Sequence, residues 1–171
     1  MILLNIGSNL DSRFGDRLLN IKKTLKLIVF ENIKITKISS IYETPSYPKK
    51  NNPKYLNIGL EIESSYSPQQ LIKKFNKIEK KLQRTRGVKN QPRTCDIDLI
   101  DYDGKIIDTM ELSLPHPRCH LRNFVLFPLK EISPTWIHPI LNKKIDFLIK
   151  KLSFKLRNEI TRIKEHVTVN K

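Results

Sequence analysis

Two aspartates one residue apart sit in mid-chain, in the run Pro92-Arg93-Thr94-Cys95-Asp96-Ile97-Asp98-Leu99-Ile100. Cys95, Ile97 and Leu99 alternate with them, which is the two-residue period of a half-buried strand. That period puts both carboxylates on one face, with Cα atoms roughly 6.5–7 Å apart. Acids so close repel each other unless a cation neutralises them. Oxygen-only ligands on a stiff strand suit Mg²⁺, which takes one or two carboxylates and completes its shell with water and substrate phosphate. Arg93, three residues before the first acid, brings a phosphate-binding guanidinium to the same place. No Gly-x-x-x-x-Gly-Lys-Ser/Thr run occurs, so a nucleotide would be held by scattered cations and metal rather than by a P-loop. Alone, an Asp-x-Asp pair on a strand is more often solvated surface, and the rest of the chain must decide.

Downstream come Leu112-Ser113-Leu114-Pro115-His116-Pro117-Arg118 and Arg122-Asn123-Phe124-Val125-Leu126-Phe127-Pro128-Leu129. Upstream stand Ile6-Gly7-Ser8-Asn9-Leu10, Tyr42-Glu43-Thr44-Pro45 and Tyr55-Leu56-Asn57. With the aspartate run, these motifs resemble, in order, the signature of the 6-hydroxymethyl-7,8-dihydropterin pyrophosphokinases of folate biosynthesis, over roughly residues 1–140. The resemblance implies an ATP-dependent diphosphokinase that moves the pyrophosphoryl group of ATP to a pterin hydroxymethyl oxygen and releases AMP. It implies two Mg²⁺ ions on Asp96 and Asp98, with Arg84 and Arg93 joining them as catalytic residues. For ATP it points to Asn76, Glu79, Arg84, Arg86, Arg93, Ile97, Leu112, Ser113, His116 and Arg122. Guanidinium forks match phosphate oxygens two at a time. For the pterin it points to Thr44, Pro45, Tyr47, Tyr55, Asn57 and Phe124, consistent with a flat slot that needs aromatic walls and in-plane hydrogen-bonding groups. Asn57 shares a strand face with Tyr55 by the two-residue period. The chain departs from the family pattern at Asn90-Gln91, where many members carry an aromatic residue before the proline of the lid loop. Glu111 likewise stands where some relatives have a basic residue.

At 171 residues the chain suits one domain. A net charge of +15 raises nucleic-acid binding as a rival reading. Composition argues otherwise: 23 Lys, 23 Ile and 13 Asn occur with no Ala, the mark of AT-rich coding bias. Lys22, Lys23, Lys26, Lys73, Lys74, Lys77, Lys80 and Lys81 read as polar helix faces that attract a polyanionic nucleotide in general terms. An RNA-binding sheet would need exposed aromatics at alternate strand positions, whereas the clearest strand offers Tyr55, Asn57, Gly59 and Glu61. The partners expected are therefore the pterin and ATP, with no nucleic acid and no membrane. No apolar run approaches the ~20 residues of a membrane span. The N-terminus reads as a first strand rather than a signal peptide, and Cys95 and Cys119 are not spaced as a disulfide framework or zinc site. A cytoplasmic protein is expected, as a monomer or alternatively a dimer.

The elements that must position the site follow from pattern. Residues 2–6 read as a strand. A helix over 13–28 is expected, capped by Asp11 or Ser12, and then a single strand over 33–43. The strand at 55–63 alternates cleanly. Ser67-Pro68-Gln69-Gln70 supplies a cap, a first-turn proline and a capping-box glutamine for a helix ending near Gln83. Asp103-Gly104 predicts a tight turn pairing the aspartate strand with 105–108. Helices are expected at 124–131 and 145–151. The β-α-β-β-α-β order gives an α+β, ferredoxin-like sandwich, a mostly antiparallel sheet with helices packed on one face. The domain is assigned to 1–151, with 152–171 as a basic C-terminal extension, a helix or tail.

Overall fold

A computed structural model describes residues 1–46, 51–84, 91–163, 165 and 167. In chain order the elements are β1 (Ile2–Ser8), α1 (Arg17–Phe30), β2 (Lys34–Ile38), β3 (Ile41–Thr44), β4 (Tyr55–Glu63), α2 (Pro68–Lys81), β5 (Asp96–Tyr102), β6 (Ile107–Asp108), β7 (Ser113–Leu114), α3 (Asn123–Ile132), β8 (Ile137–His138), β9 (Lys143–Lys144), α4 (Ile145–Lys151), α5 (Phe154–Asn158) and β10 (Thr161–Ile163). The main sheet runs β10-β3-β4-β1-β5, every pairing antiparallel, with β2 also on β4. This is the α+β sandwich that the element order predicts.

Local chemistry fixes the element ends. Ser67 and Gln70 exchange the reciprocal bonds of a capping box, and Pro68 opens α2. Leu71, Phe75 and Ile78 then go fully into the core, each worth about 1.5–3 kcal/mol of burial. Helix α1 starts later than expected. Ser12 and Gly15 close a tight turn through two backbone bonds of 2.9 and 3.0 Å, and Gly15 has φ +124°, which no helix accommodates. Asp16, not Asp11 or Ser12, therefore caps α1, accepting from Leu19 N–H at 2.8 Å. The strand expected over 33–43 is two strands. Ser39 and Ser40 break it opposite Gly59, whose N–H donates to Ser39 Oγ at 2.8 Å, and the register against β4 resumes beyond them.

The Asp103-Gly104 turn is present, both residues having positive φ, but β6 does not pair back onto β5. It pairs with β7 instead. The outer edge of β5 is taken by other groups: Glu79 accepts from Ile97 N–H at 2.9 Å, and His116 N–H donates to Ile100 O at 2.9 Å.

The expectation of helices on one face is corrected by the cores. Helices α1 and α2 cover the face carrying Ile2, Leu4, Ile6, Ile58, Leu60, Ile97 and Leu99. Leu3 and Ile100 point the other way, into a second core with Val125, Leu126 and Leu129 of α3 and Ile145 and Leu148 of α4. The reason lies within single strands. On that second face β5 reads Asp96, Asp98, Ile100 and β1 reads Leu3, Asn5, Gly7, so the Leu3–Ile100 end is apolar while the other end carries the two acids, which stay partly exposed. Helix α3 covers the apolar end and reaches as far as Gly59 and Asn5, leaving Asp96 and Asp98 partly exposed. Residues 152–163 contribute α5 and the edge strand β10, which pairs with β3 while Arg162 Nε donates to Ser40 Oγ at 2.8 Å. Among the described residues no helix is long and apolar enough to cross a membrane.

Candidate active site

The polar end of the second face is built in two cross-sheet rows. Tyr42, Asn57, Gly7 and Asp96 oppose one another across β3, β4, β1 and β5; Gly59, Asn5 and Asp98 form the next row. A Cβ on Gly7 would lie 3.1 Å from Asn57 Oδ1, so a side chain there would crowd the Asn57 amide, while Tyr55 Cδ1 at 3.7 Å would be in ordinary contact. Asn57 is buried and donates to Thr44 Oγ1 at 3.1 Å. Tyr55, Asn57 and Thr44 thus share one corner, with half-buried Pro45 following Thr44. Tyr47 lies outside the described residues. Phe124 rises from the first turn of α3, with the Arg122 guanidinium 5.4 Å from its ring centroid.

Beside this corner the guanidinium groups converge on the acids. Arg84 reaches Asp96 Oδ1 at 2.7 Å, Arg93 pairs with Asp96 Oδ2, and Arg122 reaches Asp98 Oδ2 at 3.3 Å. A quarter of the Asp98 side chain stays exposed. Even so, burial, reinforced by the neighbouring Asp96 charge, pushes its pKa up to about 7 against the pull of Arg122 and Arg93. Burial disfavours the Arg84 charge, but Asp96 and Glu79 outweigh it and raise its pKa. At Arg122 burial wins and the pKa falls, despite Asp98. Hard oxygen donors held together at a site that penalises their joint ionisation are the donor set a small divalent cation relieves. The pair therefore fits Mg²⁺.

The remaining expected residues are not all gathered here. Glu79, buried on α2, binds the Arg84 guanidinium and the Ile97 N–H. Asn76 sits one turn earlier, half-buried. Ile97 turns its side chain to the opposite core, so only its backbone faces the β5 edge. Leu112 is buried in that same core, and Ser113 Oγ donates to Asp108 Oδ1 at 3.0 Å. Arg86, like Asn90 of the lid loop, lies outside the described residues. His116 Nε2 is 3.5 Å from Arg122 Nη1.

His116 yields a measurable consequence. Burial, followed by the Arg122 charge, lowers its pKa from 6.5 to about 4. Between those values the unfolded chain binds the proton and the folded chain does not, so stability falls as pH drops through this window and levels off below it. Discounted for partial exposure, the loss is about 1–2 kcal/mol. Urea unfolding at pH 7 and pH 4 should show it in the native protein, and His116→Gln should reduce the drop by that amount.

Motif reading missed the bonds that hold the site together. Ser8 Oγ donates to Thr94 O at 2.7 Å; Asn9 and Leu10 N–H donate to Arg93 O at 3.0 and 3.1 Å; Arg93 N–H returns a 2.7 Å bond to Asn9 Oδ1. The Ile6-Gly7-Ser8-Asn9-Leu10 motif was legible as part of the resemblance, but its bonding role was not, because its partners are more than 80 residues away. A second group of possible ligands, Cys119, His120 and His138, has its donor atoms within 4.8 Å of one another. It suits a cation poorly. His138 Nδ1 accepts from Ile140 and Leu141 N–H at 3.3 and 3.2 Å, which leaves the ring hydrogen on Nε2. Burial also pushes the Cys119 thiol up to about 12.

A ferredoxin-like sheet whose paired acids meet three arginines, with the Phe124 ring beside one of them, has the make-up of a protein of the phosphate-transferring class. The chain belongs to the 7,8-dihydro-6-hydroxymethylpterin-pyrophosphokinase family, whose profile matches residues 3–134. It is 38% identical over 144 residues to the 2-amino-4-hydroxy-6-hydroxymethyldihydropteridine pyrophosphokinase of Aquifex aeolicus, covering 84% of this chain and 87% of that one. To the Bacillus subtilis protein of the same name it is 39% identical over 124 residues, covering 72% and 74%. In fold it is similar to the crystal structure of wild-type Plasmodium falciparum HPPK-DHPS, with TM-score 0.67 and 16% identity over 94% of this chain. It spans about half of that solved chain, 47%.

Proposed function

We propose that this site transfers the pyrophosphoryl group of ATP to the hydroxymethyl oxygen of 6-hydroxymethyl-7,8-dihydropterin, a step of folate biosynthesis. The substrate oxygen attacks the β-phosphorus of ATP in line. The bond from that phosphorus to the α,β-bridging oxygen breaks, AMP leaves with its electron pair, and the hydroxyl proton passes to water. The observation that carries this reading is the open end of one sheet face, where Asp96 and Asp98 meet Arg84, Arg93 and Arg122. Positioning and electrostatics supply most of the rate in such transfers.

Asp96 and Asp98 would hold two Mg²⁺ ions. Bound there, they would neutralise the triphosphate and favour ionisation of the attacking hydroxyl. Arg84 and Arg93, which neutralise Asp96 in the free protein, become available to the phosphate oxygens once the acids have another counter-charge. Arg122 would bridge the two substrates, a role supported by its pairing with Asp98 and its position by the Phe124 ring. His116, neutral at pH 7, would donate one hydrogen bond to phosphate. Glu79 serves ATP through Arg84 and the β5 edge rather than by direct contact. Tyr55 and Phe124 wall the pterin, and Asn57 and the Thr44-Pro45 backbone meet its edge. Two buried free cysteines, Cys95 and Cys119, suit a reducing cytoplasm.

The test is to mix protein, MgATP and 6-hydroxymethyl-7,8-dihydropterin and resolve the nucleotides by chromatography. AMP should appear in step with pterin diphosphate and stop on adding EDTA. ADP as the main nucleotide product would instead mean γ-phosphoryl transfer and defeat the assignment.

A further inference from the structure

The apolar run that opens strand β1, Ile2 to Ile6, is broken at one buried position. Asn5, 3% exposed, interrupts Ile2-Leu3-Leu4 and Ile6. A buried amide costs free energy unless it is hydrogen-bonded, so its partners matter. With its nitrogen directed at α3, Asn5 donates to Phe124 O at 2.9 Å and to Ile58 O at 3.3 Å. The first of these acceptors is one that the helix itself cannot satisfy. An α-helix pairs the carbonyl of residue 124 with the N–H of residue 128, and residue 128 is proline, which has none. Asn5 therefore supplies, from the sheet, the donor that Pro128 removes from the helix.

The same proline explains how the helix comes close enough. A Cβ on Gly59 would stand 3.1 Å from Pro128 Cβ, 3.2 Å from its carbonyl carbon and 3.3 Å from its oxygen. Glycine admits the Pro128 turn directly onto β4. Gly59 and Asp98 are the two cross-strand neighbours of Asn5. One row of the sheet thus admits the helix, ties it down and carries an acid of the proposed metal pair.

We infer that Asn5 is a positioning residue, whose amide holds the first turn of α3, and with it the Phe124 ring, at a fixed place beside Asp98. This rests on the reading of Phe124 as a wall of the pterin slot. Asn5 touches neither substrate. It sets the height of the aromatic wall over the sheet, and so governs pterin binding more than ATP binding.

The test compares the native enzyme with Asn5→Leu, Pro128→Ala and the double variant, measuring kcat, both KM values and the thermal midpoint. Leucine fills the same space without a donor. Asn5→Leu should raise KM for the pterin about five- to tenfold while leaving KM for MgATP within about twofold, because a misplaced wall affects only the group it holds. Pro128→Ala keeps the Cβ and returns an N–H to the helix, so it should behave like the native enzyme. In that background Asn5→Leu should lose most of its effect. The inference is overturned if pterin KM in Asn5→Leu stays within twofold of native, if both KM values rise together with a fallen thermal midpoint, or if alanine at 128 brings no recovery. Should the leucine variant fail to fold, Asn5→Ala carries the same expectations. An inactive native enzyme would sink the functional reading, and this inference with it. An active enzyme with an unaltered Asn5→Leu variant sinks the inference alone.

Discussion

Asp98→Ala should lower AMP formation about a thousandfold at saturating substrates, since losing metal-borne charge stabilisation costs several kcal/mol and each ~1.4 kcal/mol is a factor of ten. Asp96→Ala should fall as far, and the double variant little further, because the two acids act as one platform. Stability should move the other way. Asp98 pays for its burial, its pKa being pushed up to about 7 with one arginine at 3.3 Å in partial return. Asp98→Asn, which keeps the shape and removes the charge, should therefore unfold in urea at or above the native midpoint while being equally inactive. The pair of measurements separates a carboxylate kept for chemistry from one kept for folding. A variant that retained a tenth of native turnover would show that Asp98 binds no metal that matters.

Arg93→Ala should reduce kcat about a hundred- to a thousandfold, the usual effect of deleting one donor aimed at charge that grows in the transition state. Its placement justifies the upper part of that range. The Arg93 backbone is bonded on both sides to Asn9 and Leu10 at 2.7–3.1 Å, so the guanidinium springs from a fixed root beside Asp96. Arg93→Lys keeps the charge but not the fork and should recover about tenfold. Since the Arg93–Asp96 pair is about one-third and one-fifth exposed, its loss should change thermal stability little. Rapid-quench measurement of the first turnover, with urea unfolding alongside, checks both halves. A change confined to KM for ATP, with kcat intact, would falsify a role in the transition state.

Legibility in the sequence followed the range of the interaction that encodes each feature. The capping box at Ser67, the alternation of β4 and the shared face of Asp96 and Asp98 are set within a few residues, and periodicity reads them directly. The start of α1 was misplaced because Asp11, Ser12 and Asp16 are equally good caps by type, and only Gly15's positive φ chooses among them. The split between β2 and β3 was hidden for a similar reason. Ser39 and Ser40 are tolerable in a strand until Gly59 offers the backbone bonds that pull them out of register.

By itself the sequence determined what chemistry the chain can do. Side-chain type and a two-residue period put two carboxylates on one side of a strand, set a guanidinium beside them, and define an apolar set sufficient for one core. Tertiary structure alone decided where that chemistry is open to substrate. A strand's period says which face a residue points to, not whether anything covers that face. Coverage arises from contacts between residues far apart in the chain: Pro128 seated on Gly59, α3 over Leu3 and Ile100 but not over Asp96 and Asp98, and Arg84, Arg93 and Arg122 brought together from three separate segments.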